Sequence, residues 1–524
     1  PLAMWPGMMG EFMKYLPMTL MIVLGSSLFV ALVINPILAD TIRLPESSDA
    51  WLEDTFFLDS HNGWCVGRQG VIWHTDDGGQ HWQLQHAEPH IVLHCVYFLD
   101  GNTGWAVGGR VHPLTWQTSA VILRTTSGGR RWTPMEAIGL PELREVHFFN
   151  ENEGIAAGLT SSLYTTGIVR TEDGGRSWIG VAGVPSGTWS AATFSSTTDG
   201  LLVGDMGAAW LVRGKLQMAQ SLDPSLAHLR AMVFVSPNQP AWIVGEGGQL
   251  KRWSSSHGRW EGWEFHLPAA FRRTTLPASK TGSTDVDRLL RGSSATRLAP
   301  DYHTIAQIGR HLWIAGAPGS FVLHSSDNGN SWEVQFTGQT MPISDIHFVD
   351  EQHGWAVGAL GTILATRNSG TTWEIQRRGG DRLALWGLHR SPTRTPMPLI
   401  SYFAAQEGWL AGVTILGQTG MPRSTRAEAG IERRLQAAVG SIQGSVVTIA
   451  EQFPVIQSGE RVCMTPTMEN WRRRHGPSAD QAWQSFLYWQ LAQWQPDVVC
   501  FGGLETDPDD SFDHYLHRAF LMVM

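Results

Sequence analysis

The longest apolar stretch of the chain lies near its start. No residue from Tyr15 to Ala39 is charged, and 16–34 is nearly continuous apolar sequence behind Lys14. As a helix, that run is long enough to cross a hydrocarbon core ~30 Å thick. Its apolar centre exceeds the ~7–15 residues usual for a cleavable signal peptide, although Pro36-Ile37-Leu38-Ala39 offers a cleavage site. Residues 1–40 are therefore expected to be a membrane anchor, with a signal peptide as the alternative. Either one exports the rest of the chain: anchored and facing the non-cytoplasmic side, or secreted or periplasmic. The chain begins at Pro1 rather than Met, so a start further upstream is expected.

After residue 40 the pattern changes to short β-rich runs broken by Gly, Asp and Ser, and it repeats. One half of the repeat reads Gly-Trp-x-x-Gly, at 63–67, 104–108 and 354–358, with looser copies ending at Gly158, Gly204, Gly245 and Gly316. The intervals between closing glycines are 41, 50, 46, 41, 71 and 42 residues. All but one fit the ~40–50 residues of a four-stranded propeller blade. The other half follows after a short β-rich run. It reads Thr75-x-Asp77-x-Gly79-x-His81-Trp82, Thr171-x-Asp173-x-Gly175-x-Ser177-Trp178 and Ser325-x-Asp327-x-Gly329-x-Ser331-Trp332. Thr366-x-Asn368-x-Gly370-x-Thr372-Trp373 and the copy from Thr125 to Trp132 are weaker, the fifth repeat keeps a remnant at 254–260, and the fourth has lost the motif. Hydroxyl and carboxylate side chains hold a tight turn by bonding nearby N–H groups. Gly takes the φ > 0 position, and the Trp folds its apolar face onto the sheet.

These are Asp-box, or BNR, repeats. Paired with Gly-Trp-x-x-Gly, they make the region closely resemble the photosystem II assembly and stability factor family of seven-bladed propellers. The resemblance implies an all-β seven-bladed β-propeller over 41–380 that acts as a non-enzymatic scaffold for membrane-protein assembly. A protein partner, itself a membrane protein, is implied with it. The 71-residue interval marks an insertion at 266–302, rich in Ser, Thr, Gly and Pro and carrying Arg272, Arg273, Lys280, Arg288, Arg291 and Arg297. It reads as a tolerated surface loop, with partner binding as the second reading.

Past Trp373 the repeats end and strands alternate with helices. Residues 383–388, 410–416, 445–449 and 497–501 read as strands; 398–407, 426–439 and a helix after Ser478 read as helices, the last opened by a capping box. That order implies an α/β, Rossmann-like domain with a parallel sheet over 381–524. Asp497-Val498-Val499, followed by Asp513-His514-x-x-His517, makes this region resemble the PIG-L/LmbE family of zinc-dependent N-acetylglucosaminyl deacetylases. The resemblance would place metal ligands at His389 and His514. Arg390, Ser391 and Pro392 stand where that family carries Pro, the base Asp and a ligand Asp. Catalytic zinc needs three protein ligands and an open position for water, so a degenerate, inactive relative with at most vestigial zinc is expected. The chain stops at Met524 inside an apparent helix, so this domain is expected to be incomplete.

Composition narrows the function. The net charge is −9 and charged residues make up only 16%, which argues against a nucleic-acid binder with its basic stripe. Four Cys without a CxxC pair give neither a disulfide framework nor a zinc knuckle. Asp-boxes also occur in sialidase-like glycoside hydrolases, which need an Arg clamp, a Tyr nucleophile and an acid/base carboxylate. Tyr97, Tyr164 and Tyr302 are the propeller's tyrosines, and Ile42-Arg43-Leu44-Pro45 is a faint match to a sialidase entry motif. An exported, non-enzymatic, cofactor-free scaffold is the leading expectation. The hydrolase and an active deacetylase are its alternatives.

Overall fold

The computed structural model describes residues 49–519, apart from internal segments of which 112–117, 222–227, 234–240, 264–299, 419–433 and 502–511 are the longest. The expected helix at 16–34 lies outside them, as does nearly all of the expected insertion. That insertion ends earlier than the sequence suggests, because Asp301 and Tyr302 open the strand Asp301–Ile308.

Seven four-stranded antiparallel sheets follow one another among the described residues, at 52–86, 91–134, 143–180, 189–221, 229–262, 301–336 and 343–377. In each, sequence order is spatial order, with the first strand innermost. Innermost strands touch their successors all the way round, and the seventh touches the first. The fold is a β-propeller. Ring closure protects the inner strands of every sheet.

The two halves of the repeat have separate structural causes. In each sheet the innermost strand bulges, as between Leu52 and Asp54 or between Ile343 and Asp345. The bulge drives a carbonyl against the closing glycine of the second strand. A β-carbon on Gly67, Gly108 or Gly358 would collide with the carbonyl oxygen of Trp51, Val92 or Pro342. The opening glycine is needed for a different neighbour: at Gly63, Gly104 and Gly354 an aromatic ring, Phe57, Phe98 or Phe348, lies over the α-carbon.

The Trp between those glycines reaches into the next sheet. Trp64 stacks on Phe98, Trp105 on Phe148 and Trp313 on Phe348, each with ring centroids 3.6 Å apart. The Asp-box Trp then meets the same Phe edge-on: Trp132 on Phe98, Trp178 on Phe148 and Trp373 on Phe348. Trp178 and Trp373 are buried, whereas Trp82 and Trp332, expected to be mostly buried as well, are only half-buried.

Past the propeller, an α/β layer carries a parallel sheet in the order Val446–Val455, Ala411–Gln418, Leu385–His389, Val498–Phe501. The helices Met464–His475 and Ala479–Trp494 pack on it through Trp471, Trp483, Leu487 and Trp494, all fully buried. The capping box expected at Ser478 does not form: its side chain makes no capping bond, and its carbonyl accepts from Gln481 N and Ala482 N instead.

Candidate functional site: the channel and its covered mouth

Strand direction separates the two faces of the propeller. The Asp-box turns join third to fourth strands on one face; the bulges and closing glycines lie on the other. In each box the leading hydroxyl accepts the glycine N–H, from Gly79 to Thr75 at 2.8 Å and from Gly175 to Thr171 at 2.9 Å. The same hydroxyl donates to the carboxylate, which accepts the backbone N–H four residues on, as Asp173 does from Ser177 at 2.9 Å. Gly79, Gly175, Gly329 and Gly370 have φ from 79° to 90°, the left-handed region. Hydrogen bonds to the charged form hold Asp77 below the usual carboxylate range and bring Asp173 and Asp327 to about 2. Asn368 makes the same turn without a charge. The hydroxyl and carboxylate side chains thus bond within their own turn, while turn carbonyls such as Gly78 O and Gly174 O accept from a neighbouring sheet.

The innermost strands point polar side chains into the channel at two levels. Residues at the bulges form the first, among them Glu53, His94, Arg144, Arg230 and His303. One step deeper stand Asp54, Cys95, Glu145 and Asp345, on four neighbouring sheets, facing Ala191, Ala231 and Thr304. The acidic side chains tie one sheet to another. Asp345 accepts from Thr55 N at 3.2 Å and from Thr304 Oγ1 at 2.8 Å, Asp54 accepts from Val96 N at 2.7 Å, and Cys95 Sγ donates to Glu145 at 3.3 Å. Burial, then the charges of Asp345 and Glu145, push Asp54 well up. Burial raises Glu145 to about 8 and, with Glu246 beside it, Asp301 to about 6. His303 is lowered to about 4 by burial and by Arg230, and burial also lowers His147 and His347. Burial in the channel thus favours the uncharged forms of Asp54, Glu145, His147, His303 and His347.

The α/β layer covers the bulge-side mouth. Its outer strand, Val446–Val455, lies across it with Gln490 and Gln493, lining one side of a cavity of about 570 Å³. Arg68 donates to Val447 O at 3.1 Å, Gln452 to Asp301 at 2.8 Å, Thr340 to the Gln493 carbonyl at 3.2 Å, and Ser445 to Asp49. A sheet edge that would otherwise offer unpaired backbone groups is thereby occupied.

His389 is fully buried at the carboxyl end of its strand, beside the strand Val498–Phe501 where the sheet order reverses. Open α/β sheets place ligands at that point. His514, the other expected ligand, lies outside the described residues, as do Asp507, Asp509, Asp510 and Asp513. Among the described residues no three metal-ligating side chains come together. Of the tyrosines weighed for a hydrolase, Tyr97 faces the channel against His147, Tyr302 is buried in the sixth sheet and Tyr164 lies on an outer loop over Trp178. They do not converge. The channel acids escaped the sequence reading; their signal was the polar pair just after the residue opposite each closing glycine, as in Leu52-Glu53-Asp54 and Leu143-Arg144-Glu145.

Comparison with known proteins agrees with the propeller's repeats. Residues 40–275 match the model of the photosynthesis system II assembly factor YCF48 family. The photosystem II assembly lipoprotein Ycf48 of Synechococcus sp. (strain CC9902) is 24% identical over 326 residues, covering 59% of this chain and 83% of that protein. The photosystem II assembly protein Ycf48 of Thermosynechococcus vestitus is 36% identical over 63 residues, 12% of this chain and 18% of that one. Among solved structures, YCF48 from Cyanidioschyzon merolae aligns over 62% of this chain and 98% of its own, at 19% identity and a TM-score of 0.46. The propeller is Ycf48-like, and the relatives carry the names of photosystem II assembly proteins. No helix among the described residues is long and apolar enough to cross a membrane.

Proposed function

We propose that this chain is a non-enzymatic binding scaffold for photosystem II assembly, exported and held at a membrane through residues 1–40. The observation that carries the reading is the match along most of the length of a photosystem II assembly lipoprotein. The geometry supports it from the other side. The Asp-box side chains bond within their own turns and the channel acids brace neighbouring sheets, which supports a scaffold over a hydrolytic centre. The partner is a protein, and in this reading a photosystem II subunit in the membrane. The α/β layer is proposed as an inactive relative of zinc-dependent N-acetylglucosaminyl deacetylases, since Ser391 and Pro392 supply neither base nor ligand.

The test is affinity purification of the tagged chain from membranes of its own cells, with a matched deletion strain. Photosystem II subunits should co-purify, and the deletion should lower the yield of assembled photosystem. A deletion strain with undiminished assembly and a purification free of those subunits would discard the reading.

A further inference from the structure

The ring has one boundary unlike the others. Every other pair of neighbouring sheets is joined by the chain itself, but the first (52–86) and seventh (343–377) are not, and no strand passes between them. Among the described residues their contact pairs no strands and rests on side chains that bond to side chains or to backbone groups. Trp51 Nε1 donates to Ser344 Oγ at 2.6 Å, Thr55 N to Asp345 at 3.2 Å, and Gln376 to Gly78 O at 2.8 Å. Holding two ends without a covalent link costs loop-closure entropy that the other boundaries do not face.

The α/β layer sits over that boundary. Among the described residues, one apolar core joins Leu383, Leu410, Trp483 and Trp494 of the layer to four propeller residues: Trp51, at the head of the first sheet, Met341, just ahead of the seventh, and Ala359 and Leu360 within the seventh. Trp51 and Trp494 lie with ring centroids 6.3 Å apart. Elsewhere, as at Asp301 of the sixth sheet, the layer touches the propeller through polar bonds. The apolar, strongly held part of the joint is thus confined to the two sheets that the chain leaves unjoined.

We propose that the α/β layer is the clasp of the ring: an intramolecular docking surface that replaces a shared strand by burying Trp51 and Leu360 under one core. This goes beyond the scaffold reading and stands whether or not the partner is a photosystem subunit. The clasp gives the layer a use that needs no catalysis.

Hydrogen exchange on the full chain tests it. Trp494→Ala removes the ring that faces Trp51, and Trp494→Phe keeps an aromatic there. In Trp494→Ala, exchange in Leu52–Phe57, Gly63–Gly67 and Gly354–Gly358 should quicken by about tenfold or more, while Leu143–Phe148 and Gly154–Gly158 in the third sheet keep their protection. Trp494→Phe should lie between. Should Trp494→Ala unfold the layer outright, the first and seventh sheets should still lose protection ahead of the third. A loosened layer above unchanged first and seventh sheets overturns the clasp, as does equal loss in all sheets for both variants.

Discussion

Trp355 of the seventh sheet stacks face to face on Phe57 of the first, ring centroids 3.6 Å apart and planes 7° from parallel. Trp355 Nε1 also reaches the Asp-box turn of the first sheet, donating to Gly78 O at 3.3 Å. Trp105 makes the same pair of contacts within the ring, on Phe148 and on Gly174 O. The ends of the chain therefore meet through the same device that joins its consecutive sheets. Truncating either Trp empties a large core site, and Trp355→Ala and Trp105→Ala should each cost about 3–5 kcal/mol in denaturant unfolding. A much smaller loss for Trp355→Ala would mean that the stack contributes little to closing the ring.

The closing glycines should tolerate nothing larger. Gly108→Ala and Gly358→Ala each drive a methyl into a bulge carbonyl, and a melting temperature several degrees lower is expected. Gly262→Ala, at the end of the outer strand Arg259–Gly262, meets nothing within 4 Å and should stay within about ±0.5 kcal/mol of the parent.

Channel and turns should respond to pH in opposite directions. Glu145 is raised to about 8 in the folded chain, so between the unfolded value and pH 8 the folded state binds the extra proton. Stability from this group is therefore greatest at low pH and declines as pH rises from about 4.5 to 8. In Glu145→Gln that decline should flatten and stability at pH 8 should rise. Asp173 and Asp327, held at about 2, stabilise above the unfolded value and lose that effect as pH falls from about 4 towards 2. Denaturation midpoints taken from pH 3 to 9, for the parent and for Asp173→Asn, would separate the two groups.

For the α/β layer, metal analysis of the purified chain should find no stoichiometric zinc, and N-acetylglucosamine-containing substrates should not be deacetylated. Stoichiometric zinc with turnover lost in His514→Ala would assign it the catalysis that its missing carboxylates argue against, with Asp507, Asp509, Asp510 and Asp513 as replacement ligands.

The Asp-boxes were legible because their geometry is local: a hydroxyl, a carboxylate and a left-handed glycine within five residues dictate one turn. Gly-Trp-x-x-Gly gave the blade spacing, but the cause of each glycine lay far off in sequence, in a carbonyl such as Trp51 O or a ring such as Phe57. The channel was harder to read. Asp54, Glu145 and Asp345 look like ordinary surface acids on alternating strands, and only ring closure turns that face inward. Nor does any residue of the α/β layer announce a contact with Trp51, since apolar helix positions read alike whichever surface they cover.

The aromatic stacks imply that the unit copied along the gene is not the unit that holds together. Each stack takes its indole from one sheet and its phenyl and second indole from the next, as Trp64 does with Phe98 and Trp132. A sheet excised alone would carry the unmatched halves of two stacks. Duplication, by contrast, restores every match at once, because each copy offers an indole to one neighbour and a phenyl with a second indole to the other.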